Sequence, residues 1–519
     1  MAFWPGAASS LPETPENDAT MGRENKKKRG YFNRSSGSPS RHPAGPGDRP
    51  PARWPLWSLL LPAALLAVAG FYALGLRGRP RPGFNVLLIS VDTLRVDHLG
   101  LSGYDRPTSP NMDQLARAGL VFTQAICQNT NTNPSHASIL SGMYPRSHGN
   151  WDNYFMMDEA IPLAPGIFQD AGYSTAAFVS GYTLKKKICR LDRGFQTYDD
   201  AFDGKERHGD QTTDRAIEWL RTHGKQPFFL FVHLFDPHGP YTPPPEVAMA
   251  FPPRQPAQLV PLDRIPRYQR LPREAAPADL WTNLERYKAA YDAEIAFADR
   301  QVGRLLETLE SLGLASSTVV VLTSDHGEAL DERFHLLDHG GGIGDEEIRV
   351  PLIFRFPDGR FAGQRFTDQV ESVDILPTLT ATVGLASPST VQGINLLPML
   401  EGAHAAPHPE TLTETRVIPV RWRDRDYKLN IRDTLKAVRR AGAKLVVFPG
   451  LPHDYTELYD LATDPLERHD ISTDRPGLTR ALEDRLKRFM TLPTRRNGVA
   501  NPDTDQETRE IFRTLGYVD

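Results

Sequence analysis

Runs of consecutive apolar residues predict the strands of a buried β-sheet. Residues 84–91, Phe-Asn-Val-Leu-Leu-Ile-Ser-Val, are nearly all apolar, and Asp92 follows them directly. A strand that is covered on both faces, as in a parallel sheet, has this composition. Similar runs recur at 173–180, 227–233, 318–324 and 350–356.

Helical patterns lie between these runs. From Tyr291 to Leu312, apolar residues recur at spacings of three and four, which predicts an amphipathic helix that stops at Gly313. Strands that alternate with helices predict an α/β fold with a doubly wound, mostly parallel sheet flanked by helices. Ligands of such sheets bind beyond the carboxyl ends of the strands, so the active site is expected there.

The second half of the chain contains a proline-dense stretch and a predicted boundary. Prolines crowd residues 240–279, which favours a loop over the sheet, and Ala-His-Ala-Ala-Pro-His-Pro follows Gly402. We predict a catalytic domain over 84–402, a smaller C-terminal α+β subdomain over 403–490 and a tail over 491–519. Within the subdomain we expect strands near 434–439 and 444–448, a turn region at 455–461 and a helix from about 477 to 490.

The amino-terminal residues predict a membrane anchor. Residues 1–53 are rich in Pro, Gly, Ser and charge, as expected of a disordered cytoplasmic leader. Residues 54–76 carry no charge and are long enough to cross a bilayer, which needs about 20 residues. We predict a single-pass signal anchor, a linker at 77–83 and a catalytic domain outside the cytoplasm, periplasmic or extracellular. The alternative is a signal peptide that is removed.

Charge and cysteine content exclude several classes of protein. Across 519 residues, 60 Lys and Arg stand against 64 Asp and Glu, a net charge of -4, which does not favour nucleic acid as a partner. The two cysteines, Cys127 and Cys189, are too few for a disulfide scaffold or a thiolate metal cage. A single bridge between them stays open.

Thr132 stands at the start of a predicted short helix. Pro134 suits a first helical turn, and Gly142 ends the pattern. Free backbone N–H groups and the helix dipole favour an anion at such a position, whether a bound phosphate or sulfate or the alkoxide of the threonine itself. The alternative is an ordinary Thr or Asn N-cap.

Two predicted strands end on candidate metal ligands. Asp92 follows the first strand, and Asp325 and His326 follow the run at 318–324, so the three side chains should emerge at one edge of the sheet. With the oxygen of Thr132 they form a plausible site for one divalent cation, Mn²⁺ or Zn²⁺, because Ca²⁺ suits an imidazole less well. Coordination is also a way to activate a threonine hydroxyl, which is a weak nucleophile. The alternatives are a helix-capping Asp92 and a buried structural His326.

Three histidines are further candidates for the active site. His238 follows the strand at 227–233 at the same edge, where it could stabilise an oxyanion or protonate a leaving group. His339 precedes Gly340, Gly341 and Gly342, which let the backbone approach a ligand closely. His136 lies one helical turn after Thr132.

In sequence order, these motifs make the chain similar to the sulfatase family of the alkaline phosphatase superfamily, over about residues 84–490. The matching pieces are Asn85-Val-Leu-Leu-Ile-Ser-Val-Asp92-Thr, Thr108-Ser-Pro-Asn-Met-Asp-Gln-Leu-Ala, Thr132-Asn-Pro-Ser-His-Ala-Ser, Leu191-Asp-Arg-Gly-Phe, His233 to Tyr241, Ser324-Asp-His-Gly-Glu, Ile348-Arg-Val-Pro-Leu-Ile and Glu457-Leu-Tyr-Asp-Leu-Ala-Thr-Asp-Pro. The resemblance implies nucleophilic attack on sulfur or phosphorus and a covalent ester on the enzyme, which is then hydrolysed or transferred.

The departures from the family pattern concern the nucleophile and the metal site, which is one carboxylate short of the family's usual set. Sulfatases in the narrow sense have Cys or Ser, converted to formylglycine, at the position of Thr132, and Arg at the position of His136. Many also carry an acid where Thr93 stands. Threonine cannot form that aldehyde. In this respect the chain resembles the branches that act on phosphorus, namely phosphonate and phosphodiester hydrolases and anchored transferases of phosphoethanolamine or phosphoglycerol.

These features together predict a membrane-anchored, metal-dependent hydrolase that forms a covalent intermediate on Thr132. The expected substrate is a sulfate or phosphate ester of a small molecule, glycan or lipid, with phosphodiesters and phosphonates favoured. One alternative is a transferase that decorates envelope polymers. The other is a catalytically silent binding protein on the same fold.

Overall fold

A computed structural model describes the chain from residue 83 onward, with gaps. The described ranges are 83–254, 283–332, 338–402, 408–416, 421–422, 425–426, 434–448, 454–495, 499–500 and 506–514. The predicted leader, the predicted anchor at 54–76 and all of the linker but residue 83 lie outside these ranges. Within them, none of the helices combines the length and the apolar character that a bilayer crossing demands.

The larger sheet has eight strands in the order β5-β4-β6-β1-β7-β8-β2-β9. Every neighbouring pair is parallel except the two pairs that involve β8. The strands are β1 (Asn85–Val91), β2 (Leu120–Ile126), β4 (Ser174–Phe178), β5 (Thr197–Asp199), β6 (Phe228–Leu234), β7 (Thr318–Thr323), β8 (Arg349–Arg355) and β9 (Arg365–Glu371).

In the sheet, which is mostly parallel as predicted, β8 is the strand that runs against its neighbours. β8 lies antiparallel to both β7 and β2. Residues 324–348 include the candidate site at the carboxyl end of β7, and the chain starts β8 from that same edge. A parallel strand would need a crossover back to the opposite edge. An apolar run shows that a strand is buried but not which way it runs.

Helices cover both faces of the large sheet, as a doubly wound fold requires. Alternate residues of β1 point to opposite faces, so that Val86 and Leu88 join one core and Leu87 and Ile89 the other. The helices are α1 (Pro110–Ala118), α2 (Thr132–Ser141), α3 (Pro145–His148), α4 (Ala164–Asp170), α5 (Lys186–Cys189), α6 (Gly209–His223), α7 (Pro245–Ala248), α8 (Leu284–Ser311), α9 (Asp345–Ile348), α10 (Ile375–Thr382) and α11 (Leu397–Leu400). The prediction of an α/β fold with a mostly parallel sheet is confirmed, and the sheet is mixed because β8 is antiparallel.

A smaller antiparallel sheet follows in the order β10-β13-β14-β15. Its strands are β10 (Glu410–Arg416), β13 (Thr434–Arg440), β14 (Ala443–Phe448) and β15 (Tyr455–Asp460), and helix α12 (Pro476–Phe489) packs against it. The prediction of a turn region at 455–461 was wrong, because most of these residues form strand β15. Glu457 is buried in this strand, and its charge interrupts the apolar pattern by which the strand could have been predicted.

Two short ladders and one further helix complete the described elements. They are β11 (Arg421–Trp422) with β12 (Arg425–Asp426), β3 (Phe155–Met156) with β16 (Val499–Ala500), and α13 (Gln506–Thr514). Cys127 and Cys189 are both buried free thiols, so no disulfide joins them.

Candidate active site

Helix α2 carries Thr132 at its first residue, as the sequence predicted. Asn131 is the N-cap residue, and Gly142 ends the helix with φ of 66°. Every residue of α2 is buried. The hydroxyl of Ser135 donates to the carbonyl oxygen of Asp325 at 2.6 Å, so the start of the helix is docked against the segment that follows β7.

Adjacent strands bring the three predicted metal ligands together. β1 and β7 are parallel neighbours; Asp92 follows β1 directly, and Asp325 and His326 follow β7 after one intervening residue. One potential ligand atom from each of the three buried side chains lies within 4.8 Å of the others. The Nε2 atom of His326 is 3.3 Å from Oδ2 of Asp325 and 4.0 Å from Oδ1 of Asp92.

The absence of hydrogen bonds to several ligand atoms, among the described residues, is consistent with a site that binds a cation. Thr132 Oγ1, Asp325 Oδ2 and His326 Nε2 are buried and have no hydrogen-bond partner among the described residues. A buried polar atom without a partner costs about 1–3 kcal/mol, so proteins rarely leave several together. His326 Nδ1 donates to the carbonyl oxygen of Gly327 at 2.9 Å, which directs the Nε2 lone pair towards the carboxylates. The donor set of carboxylates, imidazole and hydroxyl suits Mn²⁺ or Zn²⁺.

The electrostatic interaction between the two carboxylates also favours a bound cation. Burial and the neighbouring Asp92 raise the pKa of Asp325. Two carboxylates in a buried site repel each other, and a divalent cation between them would remove that repulsion.

Further histidines support the metal-ligating group. His233 Nε2 lies 3.1 Å from Oδ2 of Asp92. His136 Nδ1 donates to the carbonyl oxygen of Thr132 at 2.7 Å, and its Nε2 lies 2.9 Å from Oγ of Ser90. Burial lowers the pKa of both histidines to about 4, so both are neutral at pH 7. His136 therefore contacts the backbone of Thr132, a placement suited to holding α2.

His339 lies close to both His326 and His238. The ring centroid of His339 is 4.5 Å from that of His326 and 4.8 Å from that of His238. His339 Nδ1 is 3.2 Å from Oε1 of Glu328, and Glu328, Asp338 and His339 form a second group of side chains with metal-ligating atoms close together. His238 Nδ1 donates to the carbonyl oxygen of Gly239 at 2.7 Å.

Thr93 is a site residue whose conformation the sequence did not reveal. Its φ is +52°, a strained value for a β-branched residue, and its buried Oγ1 has no partner among the residues described. Its backbone N–H donates to Oδ1 of Asp325 at 3.3 Å, and its carbonyl accepts from Tyr291 at 2.7 Å. Strain of this kind occurs where the surrounding structure fixes a functional residue. The available signal was a polar residue directly after the strand-end acid.

A network of asparagines fixes the start of α2, and sequence reasoning missed it. Asn129 Oδ1 accepts from the backbone N–H of Asn131 at 2.8 Å. Asn131 Nδ2 reaches the carbonyl of Gly340 at 3.4 Å, and Thr415 Oγ1 donates to the same carbonyl at 3.1 Å. The glycine loop was predicted to approach a ligand closely, and what the structure shows is a close contact of Gly340 with Asn131, the N-cap residue of the helix that carries Thr132.

Sequence comparison covers most of the described chain. A sequence model of the sulfatase family matches residues 84–385, and one described as N-sulphoglucosamine sulphohydrolase, C-terminal, matches residues 342–491. N-acetylglucosamine-6-O-sulfatase of Bacteroides thetaiotaomicron is 26% identical, over 80% of this chain and 87% of that protein. Iduronate 2-sulfatase of Homo sapiens is 27% identical, over 76% of this chain and 92% of that protein.

Solved structures share the fold. The phosphonate monoester hydrolase of Agrobacterium radiobacter superposes with a TM-score of 0.65 at 23% identity, over 79% of this chain and 95% of that chain. A protein solved in complex with its substrate D-glucosamine-2-N,6-O-disulfate gives a TM-score of 0.63 at 21% identity, over 82% of this chain and 100% of that chain.

Proposed function

Because the chain belongs to the sulfatase family of sulfuric ester hydrolases, we propose that it cleaves sulfate or phosphorus esters through a covalent intermediate on Thr132, with one divalent cation. The observation that carries this proposal is the placement of the Thr132 hydroxyl. It is buried at the N-terminus of α2 and has no hydrogen-bond partner in the described chain, and the same is true of Asp325 Oδ2 and His326 Nε2 in the neighbouring group of candidate metal ligands.

Asp92, Asp325, His326 and Thr132 would hold the cation. When bound, it would supply Lewis acidity that polarises an ester oxygen and favours the ionised hydroxyl of Thr132. Thr132 Oγ1 then attacks sulfur or phosphorus in line with the leaving oxygen, and negative charge builds up on the nonbridging oxygens. His238 and His339 stabilise these oxygens or donate a proton to the leaving oxygen.

The second half of the reaction breaks the threonine ester. Water attacks the sulfur or phosphorus atom and restores the hydroxyl of Thr132. His136 Nδ1 holds the backbone carbonyl of Thr132 at 2.7 Å during both steps, and Ser90 Oγ, 2.9 Å from Nε2, holds the His136 ring. An alcohol in place of water would make the enzyme a transferase.

The substrate class follows from the nucleophile and from the relatives. The relatives' names refer to sulfated sugars, and a structural neighbour is a phosphonate monoester hydrolase. We propose phosphonate monoesters and phosphodiesters first, because threonine replaces the aldehyde-forming residue, and sulfate esters of sugars second. The predicted anchor at 54–76 would place this activity at a membrane, outside the cytoplasm.

An ester panel with active-site variants tests the proposal. Sulfate monoesters, phosphate mono- and diesters and phosphonate monoesters are assayed with Mn²⁺, Zn²⁺ and Ca²⁺ in turn. Thr132→Ala should abolish turnover and keep most of the metal affinity, because three ligands remain, whereas Thr132→Ser should retain a measurable rate. Full activity of Thr132→Ala on the preferred ester would exclude Thr132 as nucleophile.

Two further results of the same panel would each favour one of the alternative functions. Turnover that appears only when a sugar or lipid alcohol is added would identify a transferase. A purified chain that takes up no divalent cation and turns over no ester would support the silent binding protein.

A further inference from the structure

The C-terminal segment reaches the active site although it lies beyond both family matches. The two matches end at residues 385 and 491, and strand β16 and helix α13 come after both. In the β16–β3 ladder, Ala500 pairs with Phe155. The Phe155 carbonyl in turn accepts from Nδ2 of Asn133 at 2.8 Å. The segment is therefore connected to the residue next to Thr132.

Helix α13 packs against the aromatic residues behind His238. The hydroxyl groups of Thr508 and Tyr182, both buried, lie 2.9 Å apart. Ile511 packs against the apolar cluster that Tyr182, Ile188 and Phe235 form. The helix thus covers this cluster with one hydroxyl and one aliphatic side chain.

The same cluster sets the position of the His238 ring. Phe235 stacks on His238 with centroids 4.2 Å apart and planes 20° apart. Gly181 precedes Tyr182, and a Cβ atom at that glycine would lie 2.8 Å from Cδ2 of Phe235, so backbone and ring are in tight contact. A shift of Tyr182 would therefore move Phe235, and with it His238.

We propose that helix α13 positions His238, with Thr508 and Ile511 acting through Tyr182 and Phe235. The inference rests on the proposed function and takes the second of the two roles given there to His238, donation of a proton to the leaving oxygen. A misplacement of about 1 Å is enough to cost orders of magnitude in rate, so a support outside the site can control a catalytic group. Thr508 is a positioning residue, since it touches no reacting atom.

Leaving-group sensitivity separates positioning of His238 from general loss of structure. The full chain is compared as wild type, Thr508→Val, Thr508→Ser and Arg509→Ala, the last being an exposed residue of the same helix. Two esters are used that share the acid group on which the enzyme is most active, sulfate, phosphate or phosphonate. One has a 4-nitrophenyl leaving group and the other has an alkyl leaving group. Only the alkyl group needs a proton as it departs, so only its cleavage should depend on His238.

Thr508→Val should lower kcat for the alkyl ester about tenfold and for the 4-nitrophenyl ester less than about twofold, with KM and metal content unchanged. Thr508→Ser and Arg509→Ala should match the wild type. Ile511→Ala should reproduce the alkyl-selective loss. Equal rates of Thr508→Val and wild type on both esters would overturn the inference, and so would equal losses on both esters.

A second readout does not require turnover. The imidazole resonances of His238 should shift in Thr508→Val, whereas those of His148, which contacts Ser138, should not. An unchanged His238 spectrum would contradict the inference. A wild type inactive on every ester would refute the proposed function, and the spectra would still decide whether α13 positions His238.

Discussion

Thr132 differs from the other hydroxyl residues of its helix in how its oxygen is placed. Ser135 donates to the Asp325 carbonyl, Ser138 lies 3.0 Å from His148 Nε2, and Ser141 donates to the Ala137 carbonyl. Thr132 Oγ1 has no such bond within the described structure. A hydroxyl that is neither paired nor solvated is poised for a ligand, which is the residue-scale basis of the proposed mechanism.

At this scale we predict that Asp325→Asn weakens metal binding and stabilises the metal-free protein. The pKa of Asp325 is raised by burial and by Asp92, so its ionised form destabilises the metal-free fold once the pH rises above the ordinary carboxyl range. The variant should lose at least about 100-fold in metal affinity. Its Tm with chelator at pH 7 should be a few degrees above that of the wild type. A lower Tm for the variant under chelation would show that Asp325 is held by the protein alone.

His408 gives a second residue-scale prediction, about pH. Burial lowers its pKa, but Glu371 and Asp374 raise it more, to about 9. Because the folded pKa exceeds the ordinary value, the stabilisation is complete below about pH 6.5 and is lost as the pH rises towards 9. His408→Gln should remove on the order of 2 kcal/mol of stability at pH 6 and less at pH 9. Chemical unfolding across this range measures it, and a constant difference between the two proteins would contradict the assignment.

At the scale of elements, the glycine loop and helix α2 depend on each other. Gly340 has φ of +85°, and a Cβ atom there would lie 2.7 Å from Oδ1 of Asn131, the N-cap residue of α2. Gly359 has φ of +71° with no atom near a Cβ position, so it is a matched control. The loop therefore fixes where α2 begins.

We predict that Gly340→Ala and Gly359→Ala each cost about 1 kcal/mol of stability, because both place alanine in the left-handed region. Only Gly340→Ala should also lower kcat, by tenfold or more, since only there does the methyl group displace the start of α2. Thermal unfolding and ester turnover measure the two effects separately. Equal kcat values for the two variants would argue against a role of the loop in placing Thr132.

The same elements show what the sequence could and could not predict. Asp92, Asp325 and His326 were predictable because parallel strands end at one edge of a sheet. The direction of β8 was not predictable, because a buried strand has the same apolar sequence pattern whichever way it runs in the sheet. The φ of Thr93 and the support of His238 by Phe235 and α13 depend on contacts between distant segments, which carry no local signal.

At the scale of the whole molecule, the small sheet is part of the site. Arg146 makes two hydrogen bonds to the carboxylate of Glu414 in β10, at 2.8 and 2.9 Å. Asn129 Nδ2 donates to the Glu414 carbonyl, and Thr413 Oγ1 to the Cys127 carbonyl at 2.7 Å. Strand β10 therefore holds the segment that leads into α2.

From this we predict that residues 84–402 alone do not form a working enzyme. Without β10, the segment before α2 loses its partners, and buried polar groups are left unpaired. A fragment of residues 84–402 should bind no divalent cation and turn over no ester, whereas residues 84–519 should do both. Isothermal titration with Mn²⁺ compares them, and tight binding by the shorter fragment would show that the site is complete without the small sheet.

The most direct test of the central claim is to trap the intermediate. The protein is mixed with its preferred ester and Mn²⁺, quenched in acid within a turnover, digested and analysed by mass spectrometry. The account predicts a sulfuryl or phosphoryl group on the peptide that contains Thr132, at the threonine oxygen, and none in Thr132→Ala. Rapid turnover with the group found on another residue, or on none, would contradict it.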